Sequence, residues 1–338
     1  MEKELPKKRL TYIDTARAIA MLSVVIGHLV IYYRDHLGVR HPKLLVFIYT
    51  YHVPLFFVIS GVLFSEKIFR ETPFLKFLLK RIRTIVVPYL FLDITGGIYS
   101  IIRSGEISLA SVKNVIRNTI TIHPNVGENW FLSALFIGEI FLYFLLRYYR
   151  PIFKFVAWVP FLLIYLYFPF NNHYTNVFVR GVIAYTFMLA GYFLKDYFFD
   201  DRNQRWDRIV LSFLATYAIS NFNGQIDIWG SCIGNPFLCL VGGLAGSYWI
   251  IGLSKNLSSK LLTYIGQNTM TMMGTHMICV GLVWDILSKT LFDMFPSMST
   301  NLYGAVLLFV LVVALNLPIM YLYGRFLPIM VGKPLKRK

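Results

Sequence analysis

The 338 residues are 57% apolar and only 15% charged, against roughly 45–50% and 25% in an average soluble domain, and the mean hydropathy is +0.59. Apolar runs recur along the whole chain with no long polar block between them, which excludes a pair of soluble domains and points to one membrane domain over residues 1–338. The net charge of +16 sits in short stretches between those runs, as topology signals do, and not as a nucleic-acid-binding surface.

A helix needs about twenty apolar residues to cross the hydrocarbon core. That length predicts an all-α polytopic protein of about ten transmembrane helices, near 13–33, 44–64, 84–102, 130–146, 152–169, 180–199, 209–222, 236–253, 263–287 and 302–323. The first run carries Arg17 and His28 and ends in Tyr-Tyr-Arg without a small-residue cleavage site, so it reads as a span and not as a cleaved signal peptide. The seventh run is short and the ninth is interrupted by polar residues. Of the 33 Lys and Arg, 24 fall in segments that share the side of the N-terminus and 7 on the other side, with Arg17 and Arg180 inside spans. Basic residues stay in the cytoplasm during insertion, so both termini are expected there. Cys232, Cys239 and Cys279 lie in or beside apolar segments and form no CxxC pair, which supports neither a disulfide framework nor a metal site.

Ionisable residues within a span are expensive unless paired or hydrated, so they are the functional candidates. In chain order these include Asp14, Arg17 and His28 on the first span, His52 with Ser60 on the second, Asp93 on the third, Glu139 on the fourth, Arg180 on the sixth, and His276 and Asp285 on the ninth. Arg17 and His28 are eleven residues apart, close to three helical turns, which places them on one face about 16 Å apart along the axis. Asp14 is one turn before Arg17 and positioned to pair with it. An anionic cytosolic ligand docking at Arg17 and worked on at His28 fits this face. So does the plainer reading, in which Arg17 snorkels to the headgroups and His28 is a packed core residue. Lys80, Arg81 and Arg83, ahead of Pro88, are either a phosphate-binding cluster or ordinary cytoplasmic positive charge. Ser60 beside Gly61 reads either as a helix-packing pair or as a cavity lining. Trp130 beside Glu128 is an interface anchor or a platform for a sugar ring. The seven histidines show no ligand spacing on one helix, and HExxH, GxSxG and Walker A motifs are absent, so no metal or nucleotide-hydrolysing chemistry is expected.

The ordered set Asp14-x-x-Arg17, His28, His52-Val-Pro-Leu-Phe-Phe-x-x-Ser60-Gly61, Lys80–Arg83 with Pro88, Trp130-Phe131-Leu132, and Gly266-x-Asn268 followed by His276 resembles the acyltransferase 3 family of integral membrane proteins. Within it the chain is most similar to the fucose 4-O-acetylase-like branch of sugar O-acetyltransferases. The resemblance implies acyl transfer, usually of acetyl, from cytosolic acetyl-CoA as co-substrate, with no metal. The acceptor it implies is a hydroxyl of a cell-surface or lipid-linked glycan, and the location is the bacterial cytoplasmic membrane. Arg17 and His28 match the family's arginine–histidine pair, and the basic run matches its arginine motif, with Arg81 and Arg83 spaced more tightly than in some members. On this reading His28 and Arg17 are catalytic, His28 as the general base; Arg17, Lys80, Arg81 and Arg83 bind the donor, Asp14 and Ser60 support, and Glu128, Trp130 and His276 face the acceptor. Direct transfer and a covalent acyl-His28 intermediate both fit. The competing class is a transporter or flippase of lipid-linked sugars, which would show inverted repeats with paired broken helices.

Overall fold

A computed structural model of the chain describes residues 10–334 except 39–40, 66–69, 149–157, 160–171, 201–203, 231 and 258. Among these residues the structure is helical, with one isolated antiparallel bridge between Asp227 and Cys232. Twelve helices of eight residues or more can be followed: α1 (Thr11–Leu37), α2 (Pro42–Val62), α3 (Phe74–Arg81), α4 (Val87–Ser104), α5 (Leu109–Ile120), α6 (Trp130–Arg147), α7 (His173–Phe193), α8 (Trp206–Asn223), α9 (Pro236–Lys255), α10 (Lys260–Gln267), α11 (Thr269–Ser288) and α12 (Leu302–Phe326). Among the described residues, eight helical stretches are long and apolar enough to cross a membrane. This makes the chain an integral membrane protein.

The stretches correspond to the expected spans with three differences. The span expected at 152–169 lies, but for residues 158–159, outside the described residues. The one expected at 209–222 is helical as α8 but is not among the eight. The interrupted ninth is two helices, α10 and α11, separated at Asn268. Its backbone there (φ −123°, ψ 16°) leaves the helical region, and its side-chain amide donates to the carbonyl of Tyr264 at 2.7 Å.

The bundle has two apolar cores that share α1. One is built from α2, α6, α7 and α9 around Leu55, Phe57, Tyr143, Phe187 and Met188. The other gathers α1, α11 and α12 around Met21, Val25, Met272, Val280 and Leu308. Helix α7 is the central element, with 83% of its span buried, whereas α12 has 22% buried and presents most of its surface to lipid. Close approach of backbones sets this packing: a Cβ on Gly61 of α2 would overlap the carbonyl of Met188 on α7, so only glycine fits. Gly266 of α10 lies in the same way against the carbonyl of Asp14 on α1, which seats the helix break directly beside Arg17.

Between α3 and α4 the chain makes a π-helical turn over Ile82–Val86 just before Pro88. A proline has no N–H to donate and crowds the preceding turn, and a π turn absorbs both without breaking the helix. On the opposite end of the bundle, the segment after α4 forms the amphipathic α5 and a loop into a single 3₁₀ turn, Gly127–Asn129, that delivers Glu128 and Trp130.

Candidate active site

One face of α1 organises the site. Arg17, Met21, Val24, His28 and Ile31 follow one another at intervals of three and four residues and all line cavities. Arg17 opens onto a cavity of about 300 Å³, here the arginine cavity. His28 opens onto a second of about 260 Å³, the histidine cavity.

In the histidine cavity, Nδ1 of His28 is 3.4 Å from Oε1 of Glu128. Such contacts are often long in the empty site and tighten around substrate. A proton on Nδ1 held toward the carboxylate leaves Nε2 as the basic nitrogen. The ring of His276 lies 5.2 Å from that of His28, fully buried, with Nδ1 against the carbonyls of Met272 and Met273 at 3.1 and 2.8 Å. That contact fixes Nδ1 as the donor, and Nε2 is left buried with no partner. His28, Glu128 and His276 thus converge, each offering a ligand atom within 4.8 Å of the others. The three belong to three separate elements, which is why spacing along one helix gives no sign of them. The set has the geometry to hold a cation, and it equally has that of a base with its orienting partners.

Glu128 reaches this place because Asp93 holds its loop. The carboxylate of Asp93, fully buried on α4, accepts from Thr119 Oγ1 (2.7 Å), Asn125 Nδ2 (2.8 Å), the backbone amides of Asn125 and Val126 (3.2 and 3.1 Å) and Asn129 Nδ2 (3.1 Å). A buried carboxylate needs this many donors to remain in place. Within the same loop Ile122 has φ +59°, a conformation that a β-branched residue enters only under constraint. The intramembrane charge of Asp93 therefore positions the loop and does not meet the cavity.

The rest of the histidine cavity is contributed by Tyr49, His52, Asp227 and Trp229, among others. Arg180 explains how the segment 226–229 is held over it. The guanidinium lies 4.0 Å from the Trp229 ring centre and 5.8 Å from that of Trp130, and it donates to the Trp229 carbonyl. Trp130 is buried, while Trp229 is 38% exposed, so Trp229 offers the more open aromatic surface. Trp229 and Asp227 were missed in sequence; the acid and the indole between Gly224 and Gly230 are the signal that marks them.

The arginine cavity has the opposite character. Arg17 is 3.9 Å from Asp14, whose other oxygen accepts from Gln267 at 3.3 Å. Ser60 lines the cavity and donates to the carbonyl of Phe56 at 2.9 Å. The helix break supplies Gly266 through Thr271 to the wall. The first bond of α11 runs from the Met272 amide to the Asn268 carbonyl, so the amides of residues 269–271 precede it and point outward from the helix end. The hydroxyl of Thr271 is buried there without a partner. Lys333, beyond α12, also lines the cavity and donates to Asn268 Oδ1. It was not anticipated, because nothing in a basic tail distinguishes it from its neighbours.

Arg81 is elsewhere. Its Nε is 2.7 Å from Glu139 Oε2, and its guanidinium sits 5.3 and 5.7 Å from the rings of Phe77 and Phe64. It therefore neutralises a buried acid of α6 and lines neither cavity, while Lys80 and Arg83 are exposed on either side of it. Asp285 is likewise taken by a two-pronged pair with Arg103, at 2.7 and 2.9 Å.

No curated protein and no solved structure matches the chain. A family model described as an acyltransferase domain, that of the acyltransferase 3 family, matches residues 10–325. That match covers nearly all of the helices above, including every residue of the His28–Glu128–His276 cluster, and the chain therefore belongs to this family and is a membrane acyltransferase.

Proposed function

We propose that the protein transfers an acetyl group from cytosolic acetyl-CoA to a hydroxyl of a cell-surface or lipid-linked glycan, as the fucose 4-O-acetylase-like branch would, at the bacterial cytoplasmic membrane. The observation that carries this is the continuous face of α1, with a cationic cavity at Arg17 and a His28–Glu128 pair opening onto a second cavity three turns further along.

The donor enters at the Arg17 end, taken as the cytosolic one. Its phosphates meet Arg17, Lys333 and the free amides at the start of α11, the geometry that suits an anion. Lys80 and Arg83, exposed near that end, add positive potential along the approach. The acyl thioester extends toward His28. The glycan lies in the histidine cavity, where Trp229 supplies an aromatic face and Asp227 an acceptor for sugar hydroxyls.

Nε2 of His28 takes the proton of the attacking hydroxyl while Glu128 stabilises the imidazolium that results. The new bond joins the hydroxyl oxygen to the acyl carbon. The bond from that carbon to sulfur breaks, and His28 returns the proton to the departing thiolate. His276, behind His28, fixes the orientation of the ring.

Membranes carrying the protein are given labelled acetyl-CoA and crude surface glycan. Label is expected in the glycan, and His28→Ala should lower its incorporation by about 10²–10⁴-fold at equal protein level. Near-normal incorporation by that variant would defeat this role for His28, and sugar movement without incorporation would favour a transporter.

A further inference from the structure

The two cavities share four lining residues: Met21 from α1, Phe56 from α2, Phe131 from α6 and Met273 from α11. No charged or hydroxyl-bearing side chain belongs to both. The four side chains are thus the apolar boundary, here called the neck, between the chamber of Arg17 and the chamber of His28.

The neck has a rigid side and a soft side. Phe131 stacks on the fully buried Phe57 at 4.9 Å between ring centres and meets Phe56 edge-on at 5.5 Å. Packed from both sides, these rings have little freedom to turn. Met21 and Met273 are unbranched, and each reaches the neck through three rotatable bonds, so they can re-pack around an object passing between them. Met21 is also placed on α1 between Arg17 and His28, so any group travelling along that face passes its thioether.

We infer that Met21, Phe56, Phe131 and Met273 form a gate that determines which acyl groups reach His28, by their width. This rests on the reading above, in which the donor is a CoA thioester bound at the Arg17 end. The phosphates stay in the polar arginine cavity because an apolar neck offers them no partners. The acyl group and the thin arm behind it go forward. The distance to be bridged, about 16 Å along α1, needs roughly five residue lengths of extended chain, which is of the order of the two-amide arm of a CoA thioester. Acetyl and short linear acyl groups are no wider than that arm. An acyl group branched next to its carbonyl is wider, and the edge-on rings of Phe56 and Phe131, the latter backed by Phe57, oppose it.

The test uses the full-length protein in detergent with a soluble glycan acceptor, comparing acetyl-CoA with isobutyryl-CoA. The wild type should use acetyl-CoA far better. Met273→Ala and Phe56→Ala should each raise the isobutyryl-to-acetyl rate ratio about tenfold or more. Met21→Phe, which narrows the neck, should reduce acetyl transfer at least tenfold while labelled acetyl-CoA still binds with the wild-type affinity. Binding also reports on whether each variant is folded. A ratio that stays within twofold of the wild type in both widened variants, with acetyl transfer intact, overturns the gate and leaves the acyltransferase reading standing. A wild type that moves no acetyl from CoA to any glycan removes the reading itself and the gate with it.

Discussion

The arginine and histidine cavities are nearly equal in size, about 300 and 260 Å³, and share one helix face, yet their chemistry is opposite. One is lined by Arg17, Lys333 and the amide end of α11; the other by Glu128, Asp227, two imidazoles and indole rings. A long apolar side chain, Met21, is all that α1 places between them on the way from Arg17 to Val24. On the proposed reading, this difference would keep an anionic donor and a polyhydroxylated acceptor in separate chambers, with charge selecting what enters each and only the reacting groups meeting.

Two substitutions should separate the chambers functionally, a third should separate both from the scaffold, and chelation tests the histidine cluster. The largest effect is expected from Arg17→Gln. Losing a charge-assisted contact worth about 1.5–3 kcal/mol should raise the donor KM by roughly 10–10²-fold and leave the glycan KM unchanged. A shift confined to the glycan KM would mean that the chambers are assigned the wrong way round.

Glu128→Gln should act in the other chamber, lowering kcat about tenfold by leaving His28 less well oriented and its charged form less stabilised, with donor affinity unaltered. Arg81→Met should reveal itself as structural. Glu139 is then buried without its partner, which destabilises by about 3–5 kcal/mol, and the paired change with Glu139→Leu should restore much of the thermal stability. Equal loss of donor binding in the single variant and in that double variant would instead put Arg81 in the donor site. The smallest effect is expected from chelation. If His28, Glu128 and His276 act as base and partners, prolonged EDTA treatment should leave the rate within twofold, and a metal-restored loss of activity would make them a coordination site.

The bundle was largely legible in the sequence because membrane insertion reads length and apolarity directly, and α1, α2, α6, α9 and α12 follow the apolar runs closely. The break at Asn268 was visible only as an interruption, since the backbone carbonyl of Asp14 that requires Gly266 comes from a helix some 250 residues away. The face of α1 carrying Arg17 and His28 was readable from helical period alone. The partners of that face were not. Intramembrane Asp93, Glu139, Arg180 and Asp285 look alike in a sequence, and only the fold separates a loop-holding carboxylate from an ion pair or from the arginine that pins Trp229. Glu128 and His276 stood out as polar residues near one side, but their convergence on His28 depends on three elements brought together by tertiary packing.

The division of labour between the two chambers is tested most directly by sidedness. Purified protein is reconstituted into sealed vesicles, and those with the Arg17 end inward are selected by protease protection of the C-terminal tail. Labelled acetyl-CoA is trapped in the lumen and the glycan is supplied only outside. Acetylated glycan outside, formed without leakage of acetyl-CoA, is the predicted result. Label that appears only when donor and glycan share one compartment would contradict it.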